Sequence, residues 1–207
     1  MKKQQAIRGP YGGYKHNDII ASMLCGLLAS HLSGAAFSYI RGALMDVDGY
    51  GLKQVNPTPL VASIITLSMI SLFILWLYRA CQNGWLLNAP KMRSTPLDSI
   101  KQCIVPPLFC WKPFVTLEQI RKATYEQKRE LQKLLPIWWI SVIITHSTLI
   151  LTLFFQQRVD STDSQLIANN LFEIVILTSI PLDLFTIIVV YKLTKMQKRR
   201  MSQLRPR

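Results

Sequence analysis

The chain has 207 residues, of which 50% are hydrophobic and 17% are charged, and its net charge is +13 at pH 7. A typical soluble domain carries roughly 25% charged residues, and its apolar positions alternate with polar ones. Here the apolar residues form blocks about 20 residues long, which is the length that crosses the hydrocarbon of a bilayer. These features argue against an ordinary soluble domain and predict a membrane protein.

Four apolar blocks follow one another along the chain. Each predicts a membrane-spanning helix, because lipid offers no water to unpaired backbone groups. The predicted spans are 19–40, 60–78, 136–155 and 166–191. Pro136 is expected in the first turn of the third span, where its missing N–H costs no hydrogen bond. The predicted fold is an all-α, four-helix membrane bundle that forms a single domain over 1–207.

The first block admits a second interpretation. Its basic start, apolar stretch and small residues at 33–35 resemble a signal peptide with a cleavage site, although an apolar run that continues to Ile40 favours a retained helix. Small residues also recur every fourth position along one face of this helix, which allows close approach of another helix in lipid. That face is expected to pack inside the bundle or to form a homodimer. Its residues are Ser22, Gly26, Ser30 and Gly34.

The distribution of Lys and Arg predicts the orientation. The N-terminal tail, the loop 79–135 and the tail 192–207 hold four, ten and seven of the 24 Lys and Arg residues. Cytoplasmic segments are enriched in these residues, so both termini and the loop are predicted on the cytoplasmic side of the membrane. Five aromatic residues are expected to anchor the helices at that interface, namely Trp76, Tyr78, Trp138, Trp139 and Tyr191.

The loop 79–135 is expected to contain two further elements. Residues 100–111 are apolar but too short to span, and two consecutive prolines interrupt them, so an interfacial segment is predicted. Residues 115–134 are predicted to form a short amphipathic helix with solvated ion pairs such as Glu118 with Lys122. The basic tail is expected to contact anionic lipid headgroups. No nucleic-acid partner is expected, because no folded reading module accompanies the charge.

Known catalytic motifs are missing from the sequence. It contains no nucleotide-binding glycine loop, zinc-protease motif or nucleophile elbow, so enzymatic activity is not expected. The four cysteines lie outside the predicted outer loops, and no histidine is near Cys103 or Cys110. We therefore predict unpaired thiols and no metal site among the cysteines.

Ionisable side chains inside the spans are costly in lipid, so each is a candidate for function. His31 and His146 are predicted about 18 and 15 Å from the inner face at helical rise. Facing each other across the bundle, they are able to ligate a haem iron, bind a metal or relay a proton; the alternative is two neutral, hydrogen-bonded histidines. Asp183, two residues after Pro181, is expected to serve a proton or cation pathway or to be a structural carboxylate, for instance one paired with Arg79.

A set of motif residues runs from the second span into the loop. It comprises Trp76, Arg79, Asn83, Pro106, Lys112 and Pro113. Over residues 75–125 this pattern resembles a bacterial membrane family catalogued as domain of unknown function 4328. The resemblance implies a membrane location and a helical topology, and it implies no activity.

Three functional hypotheses follow from the sequence. The first is a non-enzymatic accessory or regulatory protein that binds a protein partner through the loop 79–135, with Lys112 and Arg121 as contact residues. The second is a haem-binding electron-transfer protein that uses His31 and His146. The third is a proton- or cation-conducting bundle that uses Asp183 and the histidines.

Overall fold

The computed structural model describes residues 13–45, 59–104, 111–124, 129–156 and 162–204. Within these ranges the chain is helical and contains no strand, which confirms the predicted all-α class. The helices are α1 (Asp18–Met45), α2 (Pro59–Asn88), α3 (Pro96–Ile104), α4 (Lys112–Thr124), α5 (Arg129–Gln156) and α6 (Thr162–Leu204). A single 3-10 turn, Ala89–Lys91, follows α2.

Three of the described helices are long and apolar enough to cross a membrane. These stretches are Ile64–Lys91, Leu131–Phe155 and Asn170–Leu204, and Asp18–Gly34 of α1 adds a shorter apolar helix. Each of the four predicted apolar blocks therefore lies in a helix.

Several helices extend well beyond the apolar blocks. α2 continues to Asn88, and α6 continues through most of the basic tail to Leu204. Lys, Arg, Gln and Met are good helix formers, so loss of hydrophobicity alone does not end a helix. For the same reason α5 begins at Arg129, and the prediction that Pro136 occupies a first turn is wrong, because it lies inside the helix.

α6 is the helix on which the bundle is assembled. α1 packs along one part of it and α5 along another, and α2 also contacts it. α1 and α5 do not pack against each other over their described residues. α3, α4 and the 3-10 turn form a cap (described residues 89–104 and 111–124) in which α4 touches α2, α5 and α6.

The tightest packing lies at the end of the bundle that this cap covers. The fully buried apolar side chains there include Trp76, Leu77, Leu117, Ile120, Leu135 and Leu193. Farther along the spans many large apolar side chains are exposed, among them Leu67, Ile150 and Phe172. Soluble monomers rarely expose apolar surface on this scale. Contact with lipid would cover these exposed apolar side chains.

The cap also changes the role of the tryptophans. Trp76, Trp138 and Trp139 are buried, so the prediction that they anchor the helices at a lipid interface is wrong. The ring of Phe114 in α4 lies 6.0 Å from that of Trp139, centroid to centroid. Because the cap covers the ends of α2 and α5, these indoles belong to the protein core.

Ser94 organises the start of the cap. Its carbonyl accepts hydrogen bonds from Trp85 Nε1 at 2.9 Å and Cys81 Sγ at 3.4 Å. Its amide donates to Gln119 Oε1 at 2.9 Å. A Cβ at Gly84 would lie 2.9 Å from Met92 Sδ, so the Met92 side chain would have to shift to accept a larger residue there. These contacts join α2 to α4 through the turn between them.

A reciprocal capping box begins α3. Thr95 N donates to Asp98 Oδ2 at 3.0 Å, and Asp98 N donates to Thr95 Oγ1 at 3.1 Å. Two amides at the start of the helix are thereby satisfied. Farther along α3, burial raises the pKa of Cys103 to about 11 and keeps this thiol protonated. Cys25, Cys81 and Cys103 are unpaired, as predicted, while Cys110 lies outside the described residues.

Arg121 of α4 is buried and forms an ion pair with Glu118. Its Nε and Nη2 each donate to a Glu118 oxygen at 2.8 Å, and Lys122 Nζ lies 3.4 Å from the same carboxylate. The predicted pair of Glu118 with Lys122 is confirmed. The interpretation as a solvated face is wrong at Arg121, because α4 is packed against four other helices.

The Glu118 carboxylate makes the stability of the cap depend on pH. Burial by itself raises the pKa of Glu118, but the hydrogen bonds and charges of Arg121 and Lys122 outweigh burial and hold it below the ordinary value. Such a group stabilises the fold above its unfolded-state pKa, roughly 4.3, and loses that contribution as pH falls through the lower folded-state pKa.

We therefore expect Glu118→Gln to lower the apparent unfolding temperature at neutral pH. The gap to the wild type should close as the pH falls below roughly 4. Tryptophan fluorescence during heating in detergent measures the unfolding temperatures of the variant and the wild type at each pH. Glu173→Gln, which removes an exposed carboxylate on α6, is the matched control and should change little. A gap that is equal at both pH values would contradict the ion-pair argument.

Candidate functional site: the seam between α1 and α6

Three side-chain contacts follow one another along the seam between α1 and α6. Lys198 Nζ lies 2.9 Å from Asp18 Oδ2 at the capped end. The Cys25 thiol then donates to the carbonyl of Ile187 at 3.9 Å. Deeper still, His31 Nδ1 lies 2.6 Å from Asp183 Oδ2. The seam thus runs from a charged mouth to an ionisable pair inside the apolar part of the bundle.

The pair of His31 and Asp183 is the closest polar contact between the two helices. The side chain of Asp183 is 9% exposed, and that of His31 is 38% exposed. The pair carries no net charge when an imidazolium faces a carboxylate, or when a neutral imidazole faces a carboxylic acid. Removing the shared proton leaves one negative charge in an apolar setting, which is costly.

The remaining polar side chains on this stretch of α1 do not compete for the pair. Ser30 Oγ donates to the carbonyl of Gly26, and Ser33 Oγ donates to that of Ala29, both within the helix. Ser22, Gly26, Ser30 and Gly34 are exposed, so among the described residues the expected packing of this face inside the bundle is wrong. The homodimer alternative stays a prediction.

His146 occupies a different environment from His31. Its Nδ1 lies 2.8 Å from the carbonyl of Val142 in its own helix. α5, which carries it, is bound to α6 through Thr145 Oγ1, which donates to the carbonyl of Thr178 at 3.0 Å. Over their described residues α1 and α5 do not pack against each other, and the pairing that the structure makes is His31 with Asp183.

Haem ligation by His31 and His146 stays a prediction. In the described ranges no group of three or more His, Cys, Asp or Glu side chains converges as a metal site. Arg79 is the other residue expected to pair with Asp183. Its Nη1 instead donates to the carbonyl of His16 at 3.1 Å.

Asn83 is the centre of a buried polar cluster at the capped end. Its Oδ1 accepts from the amide of Lys15, and its Nδ2 donates to the carbonyl of Lys15, both at 2.9 Å. The same Nδ2 lies 3.3 Å from Gln197 Oε1, and Gln197 Nε2 donates to the carbonyl of Ala80 at 2.8 Å. One amide therefore joins the segment before α1 to α2 and α6.

One further motif residue, Trp76, completes this cluster. Trp76 Nε1 donates to Thr194 Oγ1 at 2.9 Å, and the carbonyl of Trp76 accepts from Asn17 Nδ2 at 3.1 Å. We call Asn17, Trp76, Asn83, Thr194 and Gln197 the polar clamp. Trp76, Arg79 and Asn83 of the sequence motif thus share one task, which is to hold residues 15–17 against α2.

Sequence reasoning missed the other half of the clamp. Asn17, Thr194 and Gln197 are buried polar residues next to or within segments expected to be solvated. The available signal was weak: Thr194 and Gln197 are three positions apart in a basic stretch, so they share a helix face. Of the other motif positions, Pro113 is buried in the first turn of α4, Lys112 is exposed, and Pro106 lies outside the described residues.

The helices and their exposed apolar surface define this chain as a helical membrane protein. Residues 55–195 match the family described as a domain of unknown function, DUF4328. The chain belongs to this family. The matched range is wider than residues 75–125, over which the motif residues resemble the family. No curated protein and no solved structure matches the chain.

The polar clamp should contribute measurably to stability. Asn83→Ala removes both bonds to Lys15 and the bond to Gln197, and it leaves buried polar groups without partners, at a cost of about 1–3 kcal/mol. For a chain of this size we expect the apparent unfolding temperature in detergent to fall by roughly 3–10 °C. Asn88→Ala is the control, because Asn88 makes no side-chain cap bond. Equal effects of the two changes would argue against the clamp.

Proposed function

We propose that this chain is a proton-conducting membrane protein in which the pair of His31 and Asp183 binds and releases the transported proton. The observation that carries the proposal is the 2.6 Å contact between these side chains within the apolar part of the bundle. Ionisable side chains are costly in lipid and commonly mark proton pathways there, and a role in proton transfer accounts for the presence of this pair.

The exposure of the two side chains supports this role. The carboxylate of Asp183 is enclosed, and the His31 imidazolium balances its charge. The His31 ring is partly exposed, so a proton can reach it or leave it. Imidazole is the side chain best suited to accept and release protons near neutral pH. A carboxylate on Nδ1 sets the ring orientation and leaves Nε2 for exchange, as in other oriented histidines.

One route to the pair follows the seam. A groove between α1 and α6 opens at the capped end and reaches Cys25. His31 lies six residues farther along α1, about 9 Å at helical rise. Water that enters this groove would need a short chain of further water molecules to carry a proton to the pair.

We further propose four spans in a bacterial inner membrane, with the capped end facing the cytoplasm. The polar clamp supports this orientation, because it joins residues 15–17 to α2 and to Gln197 of α6 at one end of the bundle. The segments rich in Lys and Arg are therefore neighbours, as the positive-inside rule requires.

Reconstituted proteoliposomes test the conduction proposal. We expect purified wild-type protein to collapse an imposed pH gradient faster than empty liposomes do, and Asp183→Asn and His31→Gln to fall to the level of empty liposomes. Glu173→Gln is the matched control for an exposed carboxylate on the same helix, and His146→Ala is the control for a histidine outside the seam. Full flux in Asp183→Asn, or no flux in the wild type, would refute the proposal.

Reporter fusions test the orientation. A fluorescent protein that folds only in the cytoplasm should be bright when it is fused after Arg207. Alkaline phosphatase, which is active only outside, should be active when it is inserted near residues 53 or 160 and inactive near residue 126. The reverse pattern would show that the capped end faces outwards.

A second candidate is an accessory protein that binds a partner through the cap. Trp111 and Leu97 are large apolar side chains exposed on this cap, beside the exposed Lys112. Lys112→Glu should release a co-purifying partner without changing the unfolding temperature. Arg121 is unsuitable for this test, because its burial and its pairing with Glu118 mean that changing it would destabilise the cap.

A further inference from the structure

The groove between α1 and α6 combines an apolar interior with a cationic mouth. Its volume is about 580 Å³, and most of its lining is carbon, including Ala21 and Cys25. At the mouth stand three cations of α6, which are Lys195, Lys198 and Arg199. Asp18 is the acidic residue in the lining. The mouth therefore carries an excess of positive charge directly above an apolar surface.

Lys195 and Lys198 at the mouth make exposed and therefore weak polar contacts. Lys195 Nζ donates to Tyr191 Oη at 3.1 Å and lies 5.2 Å from the centre of that ring. Lys198 is paired with Asp18, but both side chains are well exposed. Exposed ion pairs are weak, so Lys198 can exchange the carboxylate for another anion without a large loss.

The groove also lies at the level where a membrane changes from hydrocarbon to headgroups. α6 is apolar up to Val190 and strongly basic from Lys192 onwards. Tyr191, at the transition, is exposed beside the mouth, which is the usual position of tyrosine at a membrane interface. An anion bound at this mouth would be at phosphate depth, with the apolar seam below it.

We propose that this groove is a binding site for one anionic phospholipid. Its phosphate is held by Lys195, Lys198 and Arg199, and an acyl chain lies along the seam between α1 and α6. The charge excess selects an anion, and the largely carbon lining favours a lipid over a free phosphate ion. The site goes beyond the general attraction of a basic tail to anionic headgroups, and it does not depend on proton conduction at the deeper pair.

Native mass spectrometry of the full chain in detergent tests the site. The probes are phosphatidylglycerol and phosphatidylcholine with identical acyl chains. We expect the wild type to retain one phosphatidylglycerol in preference to phosphatidylcholine, and Lys195→Gln with Arg199→Gln to weaken that binding by about tenfold or more, since each cation near the surface contributes appreciably. Lys192→Gln with Arg200→Gln removes the same charge from α6 outside the groove and should change it by less than about threefold.

A second variant separates the shape of the site from its charge. Ser22→Trp places a large side chain on the exposed α1 wall of the groove and leaves every cation in place. We expect it to displace the lipid without lowering the unfolding temperature. Equal losses in the two double variants, equal retention of the two lipids, or displacement of the lipid by excess inorganic phosphate would each overturn the proposal.

Discussion

The position of α1 depends on the hydrogen bonds that Asn83 makes to Lys15. These bonds, with those of Asn17 and Gln197, attach the residues just before α1 to α2 and α6. Once its first turn is held there, the direction of α1 brings His31 to Asp183 and leaves the groove open beside Cys25. A buried amide with several partners is well suited to this task, because each unmade bond would carry a full desolvation penalty.

The two ends of the bundle are stabilised in different ways. At the capped end, apolar side chains from α2, α4, α5 and α6 are buried together, as in the core of a soluble protein. Within the spans the lipid is as apolar as the helices, so burial of apolar surface gives little drive for association. There the helices are joined by specific polar contacts, such as Thr145 with Thr178 and His31 with Asp183.

The seam between α1 and α6 therefore unites structure and proposed function. Its polar contacts bind the two helices, and the deepest of them is also titratable. Three cations of α6 stand at the mouth of the same seam. The proposed phospholipid would occupy the groove that also offers water a route to the pair, so a bound lipid is expected to slow proton exchange from this end of the seam.

The sequence by itself determined the helical class, the apolar helices, the family and the position of each ionisable residue along its helix. Length and composition decide these properties, because a span needs about 20 apolar residues and every buried backbone group must be paired. The ion pair of Glu118 with Lys122 was also readable, since helical spacing alone brings these side chains together.

Only the tertiary structure decided which side chains meet. The spans are apolar around most of their circumference, so no polar face indicates how each helix is rotated, and His31 was as free to face His146 as Asp183. The burial of Trp76, Trp138, Trp139 and Arg121 was equally hidden, because it depends on a cap folding over the helix ends. Depth follows from counting residues along one helix, whereas partners follow from the packing of several.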